Sequence, residues 1–214
     1  MKYYPAFLNG LGVTMQLALV IWVSGIMLGG ALGLMGARFR MLVGWPTRTI
    51  SFILSGIPAL VFLFWLHYPA QSMFDLVIDP FYTAAFTLSV VNVFAVSDLV
   101  RNILNDFPQQ YLTAAKVTGL TRRQTVFRIQ LPLVLRQILP GLLMLQVTML
   151  HMTIFASLIS VEEIFRIAQR INAQIYRPVE IYTALGVFFL AVSLPINGVA
   201  FALKKRFTRD MSER

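Results

Sequence analysis

Residues 111–132, YLTAAKVTGLTRRQTVFRIQLP, form a basic segment that lies between long apolar stretches of the chain. Its residues predict two short helices separated by a break. Asp106 is expected to cap the first helix, with Pro108 in its first turn. Gly119 is expected to end that helix, because glycine enters the left-handed conformation without a steric penalty. The chain is therefore expected to make a compact helical elbow here.

The second helix of the elbow has its own signals. Thr121 and Gln124 have the spacing of a capping box, and Pro132 is expected to stop the helix. Ala114 and Ala115 leave one face of the first helix nearly flat, which allows a partner surface to come close. Positive charges surround that face, at Lys116, Arg122, Arg123 and Arg128. This pattern fits a docking surface, and it equally fits a solvated segment beside anionic lipid.

The composition of the chain indicates an integral membrane protein. Of 214 residues, 57% are hydrophobic and 13% are charged, and the mean hydropathy is +0.72. These values lie outside ordinary globular usage. The net charge of +9 does not indicate a nucleic-acid partner, because the cations lie at the ends of apolar runs. The chain has no cysteine, which excludes disulfides and thiolate chemistry within it.

Five stretches are candidates for helices that cross a bilayer, which needs about 20 residues. They are Leu11–Ala37, Thr49–Leu66, Tyr82–Val96, Gln137–Ile159 and Ile181–Leu203. The basic residues favour an outer N-terminus and an inner C-terminus. The segments that are then outside contain Lys2, Arg166, Arg170 and Arg177. Those that are then inside contain Arg38, Arg40, Arg48, Arg101, Lys116, Arg122, Arg123, Arg128, Arg136, Lys204, Lys205, Arg206, Arg209 and Arg214.

Polar residues within the predicted spans are candidates for a solute path. Asn92 either lines a cavity or forms a hydrogen bond between helices. Asp98 and Arg101 are three residues apart and are expected to form an ion pair on one helical face. The fourth span carries one polar stripe at Gln146, Thr153 and Ser157, and a neighbouring one at Thr148 and His151. Both stripes fit a solute path and buried helix contact equally well.

His151 has no second histidine or cysteine at a metal-ligand spacing, so no metal site is expected. We therefore expect a histidine that packs against other residues or contacts solute. No G-x-x-x-x-G-K-[ST] sequence occurs in the chain, so it is not expected to hydrolyse ATP.

The basic segment resembles the EAA signature of the integral subunits of bacterial ABC importers. That signature reads E-A-A-x-x-x-G, followed downstream by I-x-L-P. Thr113 occupies the position of the family's glutamate, and the matching residues are Ala114, Ala115, Gly119, Ile129, Leu131 and Pro132. The resemblance implies a type I, MetI-like permease fold in one domain, 1–214. Within it, residues 106–132 would be a cytoplasmic coupling segment that docks on a separate ATPase subunit.

Other segments resemble the polar amino acid branch of these permeases. Residues 151–163 read HMTIFASLISVEE, where the branch usually has K-D-T-S-L-x-S-V-I-G-V-P-E. His151 and Met152 thus replace a charged pair, and Ser55 replaces the branch's usual arginine. The resemblance implies import of polar amino acids or their derivatives by alternating access in the bacterial inner membrane. Its partners would be two ATPases using ATP and Mg, a solute-binding protein and a second permease, and the substitutions favour a heterodimer.

Four alternatives remain open from the sequence, and one of them is a structural scaffold. The importer could carry another small solute. A secondary transporter or channel would need no ATPase, but it would be expected to carry mid-span acids for ion coupling, and none is present. An intramembrane enzyme built on His151 would need a second catalytic group within reach, and only Thr148 and Thr153 are near it in sequence.

Overall fold

The computed structural model describes the backbone of residues 3–212 and the side chains of residues 3–207. Three basic residues that were used to predict the membrane orientation lie outside this described part: Lys2, Arg214 and the side chain of Arg209. All regular structure in the described part is helical. If a helix with an internal π or 3-10 turn counts as one, the helices are α1 Tyr4–Arg38, α2 Arg40–Gly56, α3 Ala59–Met73, α4 Pro80–Asn105, α5 Gln109–Val117, α6 Arg122–Ile159, α7 Ile164–Ile175 and α8 Pro178–Ser212.

Four of these helices, α1, α4, α6 and α8, are long and apolar enough to cross a membrane singly. The α2 and α3 helices form a pair bent by 96°, and together they meet the same criterion. The bend lies at Ile57 and Pro58, where Ile57 is extended, as residues before proline usually are. The prediction of an all-α membrane protein is therefore confirmed, and the number of spans is five if the bent pair counts as one span and four if it does not.

The observed helices extend beyond the predicted spans. The fourth span begins at Arg122 rather than near Gln137, and the expectation that Pro132 stops this helix is wrong. A π turn at Val126–Gln130 comes just before the proline. The wider backbone of a π turn makes room for a proline ring that would otherwise clash with the preceding turn. The basic segment is consequently continuous with a spanning helix.

The centre of the bundle is the contact between α1 and α4. Glycines of α1 face α4 so closely that an added Cβ at Gly25 would lie 2.1 Å from Asn92 Nδ2. At Gly29 the added atom would lie 2.5 Å from the Val93 carbonyl oxygen. Small residues allow this approach in membranes, where helices associate by packing and hydrogen bonds rather than by the hydrophobic effect. The α4 helix is thus packed directly against the backbone of α1.

Candidate functional site

The C-terminus of α5 is built around Gly119, which has φ +75°. The Leu120 N–H donates to the Ala115 carbonyl at 3.0 Å, and the Gly119 N–H donates to the Lys116 carbonyl at 3.1 Å. These two bonds make a complete Schellman motif, which satisfies carbonyls at the end of the helix. The prediction that Gly119 ends the first helix of the elbow is confirmed.

The N-terminus of α5 differs from the prediction, because Asp106 does not cap it. Pro108 occupies the N-cap position and makes no side-chain cap. Asp106 instead follows the last residue of α4, and its N–H donates to the Asn102 carbonyl at 2.9 Å. The α4 helix continues nine residues past the predicted Val96, so it incorporates the backbone N–H of Asp106 before α5 begins.

The start of α6 carries the predicted capping box. The Gln124 N–H donates to Thr121 Oγ1 at 3.4 Å, and the Thr121 N–H donates to Gln124 Oε1 at 2.9 Å. Each side chain therefore satisfies a backbone group of the other residue. The break between α5 and α6 is held on both sides by local hydrogen bonds, which fixes the angle of the elbow.

The two alanines of the segment face different ways. Ala114 is exposed, whereas Ala115 is 1% exposed and packs into the protein. The Thr113 hydroxyl donates to the Gln109 carbonyl at 3.2 Å, within its own helix. The open surface of the elbow is formed by Thr113, Ala114, Lys116, Gly119, Arg122 and Arg123. Three of these exposed residues, Lys116, Arg122 and Arg123, are cations.

An apolar cluster joins the elbow to two spans. Phe107, which is 4% exposed, packs with Val100 of α4 and with Val134 and Ile138 of α6. Tyr111 and the neighbouring Leu112 of α5 pack against the same cluster. A force applied to α5 therefore reaches α4 and α6 through packed side chains as well as through the chain itself.

Asp98 and Arg101 form the predicted ion pair near the end of α4. Arg101 Nη1 also donates to Thr47 Oγ1 at 3.1 Å, and the Ser51 hydroxyl donates to Asp98. Thr47 and Ser51 lie one turn apart on α2. The pair thus connects α4 to α2 and satisfies an arginine that is 5% exposed.

Asn92 and Gln146 meet inside the bundle. Asn92 Nδ2 donates to Gln146 Oε1 at 3.0 Å and to the Ile21 carbonyl at 2.8 Å, and both amide side chains are buried. Trp22 Nε1 donates to the Gln146 carbonyl at 2.9 Å. These bonds join α1, α4 and α6. For these two residues the geometry favours the helix-contact alternative.

The remaining predicted solute-path residues, all in α6, fall into a buried group and an exposed group. Thr153 and Ser157 are 0% exposed, and their hydroxyls donate to carbonyls three residues earlier in the same helix. Thr148 and His151 are exposed. His151 Nε2 lies 2.8 Å from the Ser193 hydroxyl of α8. Two of the predicted solute-path residues are therefore on an open face, and four are inside the bundle.

Glu163 caps α7 and was not among the predicted site residues. Its carboxylate accepts hydrogen bonds from the backbone N–H groups of Phe165, at 3.0 Å, and Arg166, at 2.8 Å. The side chain is 0% exposed and lies in the connection between α6 and α8. Burial raises the pKa of Glu163 to about 7, although the backbone hydrogen bonds oppose the rise. A glutamate just before an amphipathic helix was the available sequence signal.

A cavity of about 450 Å³ opens between the first turn of α1, the α7 helix and the start of α8. Tyr4, Phe7 and Glu180 are among its lining residues, and none of the predicted solute-path residues lines it. Among residues 3–207 no three His, Asp or Glu side chains are grouped as metal ligands would be.

Residues 25–212 match the family described as "binding-protein-dependent transport system inner membrane component". The chain belongs to this family. It is 28% identical over 195 residues to the glutamine transport system permease protein GlnP of Escherichia coli, covering 88% of this chain and 89% of that protein. It is 30% identical over 208 residues to the octopine transport system permease protein OccM of Rhizobium meliloti, covering 94% and 84%.

A third relative is the histidine/lysine/arginine/ornithine transport system permease protein HisQ of Salmonella typhimurium, which is 26% identical over 215 residues and is covered to 92%. Two solved structures share the fold. The "crystal structure of an amino acid ABC transporter with histidines" gives a TM-score of 0.84 at 22% identity, with 96% of this chain and 95% of that one covered. The inward-facing MetNI methionine ABC transporter gives 0.76 at 16% identity, with 97% and 98% covered.

These comparisons confirm three predictions: the chain is a permease subunit of an ABC importer, it has a MetI-like fold, and it lies in the inner membrane. Such a subunit works with ATPase subunits, a second permease and a solute-binding protein. It is a permease rather than a catalytic subunit. The N-out orientation, the single domain over 1–214 and the roles of the individual residues stay predictions.

Proposed function

We propose that this chain forms one membrane half of an importer for polar amino acids or their derivatives. The substrate class is supported by three relatives named for glutamine, octopine, and histidine with lysine, arginine and ornithine transport. The chain itself binds no cofactor, and ATP and Mg are used by the partner ATPase. Transport proceeds by alternating access.

The observation that carries the proposal is the construction of residues 106–132. This segment presents Ala114 on an open basic surface and holds its own shape through the Schellman motif and the capping box. The cluster around Phe107 ties it to α4 and α6. A segment that did not keep its shape would absorb a movement of the ATPase instead of passing it to the spans. We assign docking of the partner ATPase to this surface. If the N-terminus lies outside, as proposed, the surface lies in the cytoplasm.

The open face of α6 is the proposed solute path. Exposed polar side chains such as Thr148 and His151 are costly against lipid, so this face of a spanning helix is expected to meet protein or water. A second permease subunit placed there would enclose both residues between the two halves. Because Asn92, Gln146, Thr153 and Ser157 are already hydrogen bonded inside the bundle, we assign them to support this face from behind.

The second permease is proposed to be a different chain. Three sites support this. Ser55, Thr113 and the pair His151 and Met152 occupy positions where the family pattern usually has charged residues. The partner half would then supply the charged contacts that this half lacks. Transport by complexes assembled from this chain alone would contradict the heterodimer.

The test is uptake by proteoliposomes that contain the assembled transporter and its solute-binding protein, with radiolabelled glutamine, histidine and octopine. We expect ATP-dependent uptake of at least one of them. Gly119→Val should reduce that uptake more than tenfold, because valine is strained at φ +75°. Gly186→Val is the matched control, since Gly186 lies in α8 with nothing within 4 Å of an added Cβ.

Uptake that does not need ATP would overturn the importer assignment. Equal uptake by the Gly119 and Gly186 variants would remove the coupling role from the elbow. For the solute path, His151→Ala should raise the KM for the transported solute while ATP hydrolysis without solute stays unchanged. An unchanged KM would assign His151 to packing against Ser193 and Phe189.

A further inference from the structure

A small basic cavity lies where α1 ends, α2 begins and α4 ends. Its volume is about 200 Å³, and its lining includes Arg40, Met41, Trp45, Arg48, Arg101 and Asn105. The α2 helix comes close enough to form it because two glycines meet, and a Cβ added at Gly44 would lie 2.5 Å from the Gly36 carbonyl oxygen. The cavity is distinct from the elbow and from the polar residues of α6.

The charge of this cavity is not balanced within the protein. Its lining has three arginines and no carboxylate. Arg101 is 5% exposed and is held in place by Asp98 and by Thr47 Oγ1. Arg40 and Arg48 are exposed, and neither pairs with a carboxylate in the part of the chain that the structure describes. An oriented, buried guanidinium with two unpaired ones beside it suits a phosphate group.

The rim of the cavity is apolar. Met41 is 85% exposed and Trp45 is 69% exposed. Tryptophan is enriched where membrane helices meet the headgroup region, and basic pockets between spans recognise anionic headgroups. A soluble phosphate would make no use of these side chains, whereas a phospholipid would place its acyl chains against them.

We propose that this cavity binds the phosphodiester headgroup of an anionic phospholipid, with Arg40, Arg48 and Arg101 on the phosphate and Trp45 against the acyl chains. The site lies in the leaflet where α1 ends. Asn105 is the last residue of α4, so the bound lipid contacts the helix directly before residues 106–132. The lipid site does not depend on the proposed solute.

The test is native mass spectrometry of the purified full chain in neutral detergent, titrated with phosphatidylglycerol, phosphatidylcholine or glycerol 3-phosphate. We expect phosphatidylglycerol to bind at least tenfold more tightly than the other two. The Arg40→Gln, Arg48→Gln double variant should bind it about 30-fold more weakly. The Arg122→Gln, Arg123→Gln double variant, with the same change in net charge at exposed positions, should bind it almost as the unaltered chain does.

Trp45→Ala separates a lipid from a soluble ligand. It should weaken binding of phosphatidylglycerol and leave that of glycerol 3-phosphate unchanged. Equal losses in the two double variants would overturn the site, because binding would then follow net charge alone. Glycerol 3-phosphate binding as tightly as phosphatidylglycerol would overturn the lipid assignment. All these substitutions are at exposed side chains, and an unchanged unfolding temperature is the check that each variant is folded.

Discussion

Two regions of the molecule are held together differently: the elbow of residues 106–132, and the core where α1 packs against α4. The elbow is held by hydrogen bonds between residues close in sequence, and the core by hydrogen bonds between distant ones. In the elbow, the fixing hydrogen bonds join residues at most five positions apart, such as Leu120 to Ala115. In the core, Asn92 bonds to Gln146 over 54 positions and to Ile21 over 71. The elbow is therefore a locally determined shape, whereas the core exists only when the helices are assembled.

This difference separates stability from coupling. Substitutions in the core should lower the stability of the whole bundle, because each of these glycines and amides makes contacts between two helices. Substitutions at the caps of the elbow should leave the bundle intact and loosen only the surface that meets the ATPase. Variants of the two regions therefore test whether the elbow acts as a separate mechanical part.

The largest effect is expected from Gly25→Ala. The added Cβ would lie 2.1 Å from Asn92 Nδ2, so the amide must move and lose its bonds to Ile21 and Gln146. Overpacking together with unpaired buried amides costs about 3 kcal/mol, which lowers the unfolding temperature by about 10 °C. Thermal unfolding in detergent measures it. Gly12→Ala in the same helix meets nothing within 4 Å and should not destabilise the protein.

A comparable effect, but one that depends on pH, is expected from Glu163→Gln, because Glu163 is a local cap that is also buried inside the protein. Its pKa rises from 4.5 to about 7 on folding, so the folded protein holds the proton more tightly than the unfolded chain. Stability should therefore fall as pH rises through this range and level off above it. The change is about 3 kcal/mol, or about 10 °C in unfolding temperature.

The Glu163→Gln variant should lose most of that pH dependence. Glu162→Gln is the control, since Glu162 is exposed and pairs with Arg170 at the surface. An identical pH slope in the unaltered chain and the Glu163 variant would mean that this carboxyl does not titrate with folding.

The smallest effect on stability is expected from Gly119→Ala. Alanine at φ +75° costs about 1–2 kcal/mol, and the cost falls on the Schellman motif alone. The backbone amides of residues 119 and 120 should exchange with deuterium about tenfold faster while the unfolding temperature stays the same. A drop in unfolding temperature as large as that of Gly25→Ala would show that the elbow is part of the core.

The same difference explains what the sequence could predict. Gly119 and the Thr121–Gln124 pair were correctly predicted because all their partners are near in sequence. The cap assigned to Asp106 was wrong because α4 extends further than its apolar run, and Pro132 did not stop α6 because a π turn precedes it. The pairing of Asn92 with Gln146, and the burial of Glu163, depend on which helices become neighbours. No local pattern contains that information.

The most direct test of the account uses cross-linking from the elbow in the assembled transporter. The chain contains no cysteine, so a photo-cross-linker can be attached to one introduced by Ala114→Cys, with Ala115→Cys as the buried control. In inside-out membrane vesicles, we predict an adduct between position 114 and the ATP-hydrolysing subunit, and little from position 115. The absence of that adduct from position 114, or equal adducts from both positions, would contradict the docking of this surface on the ATPase.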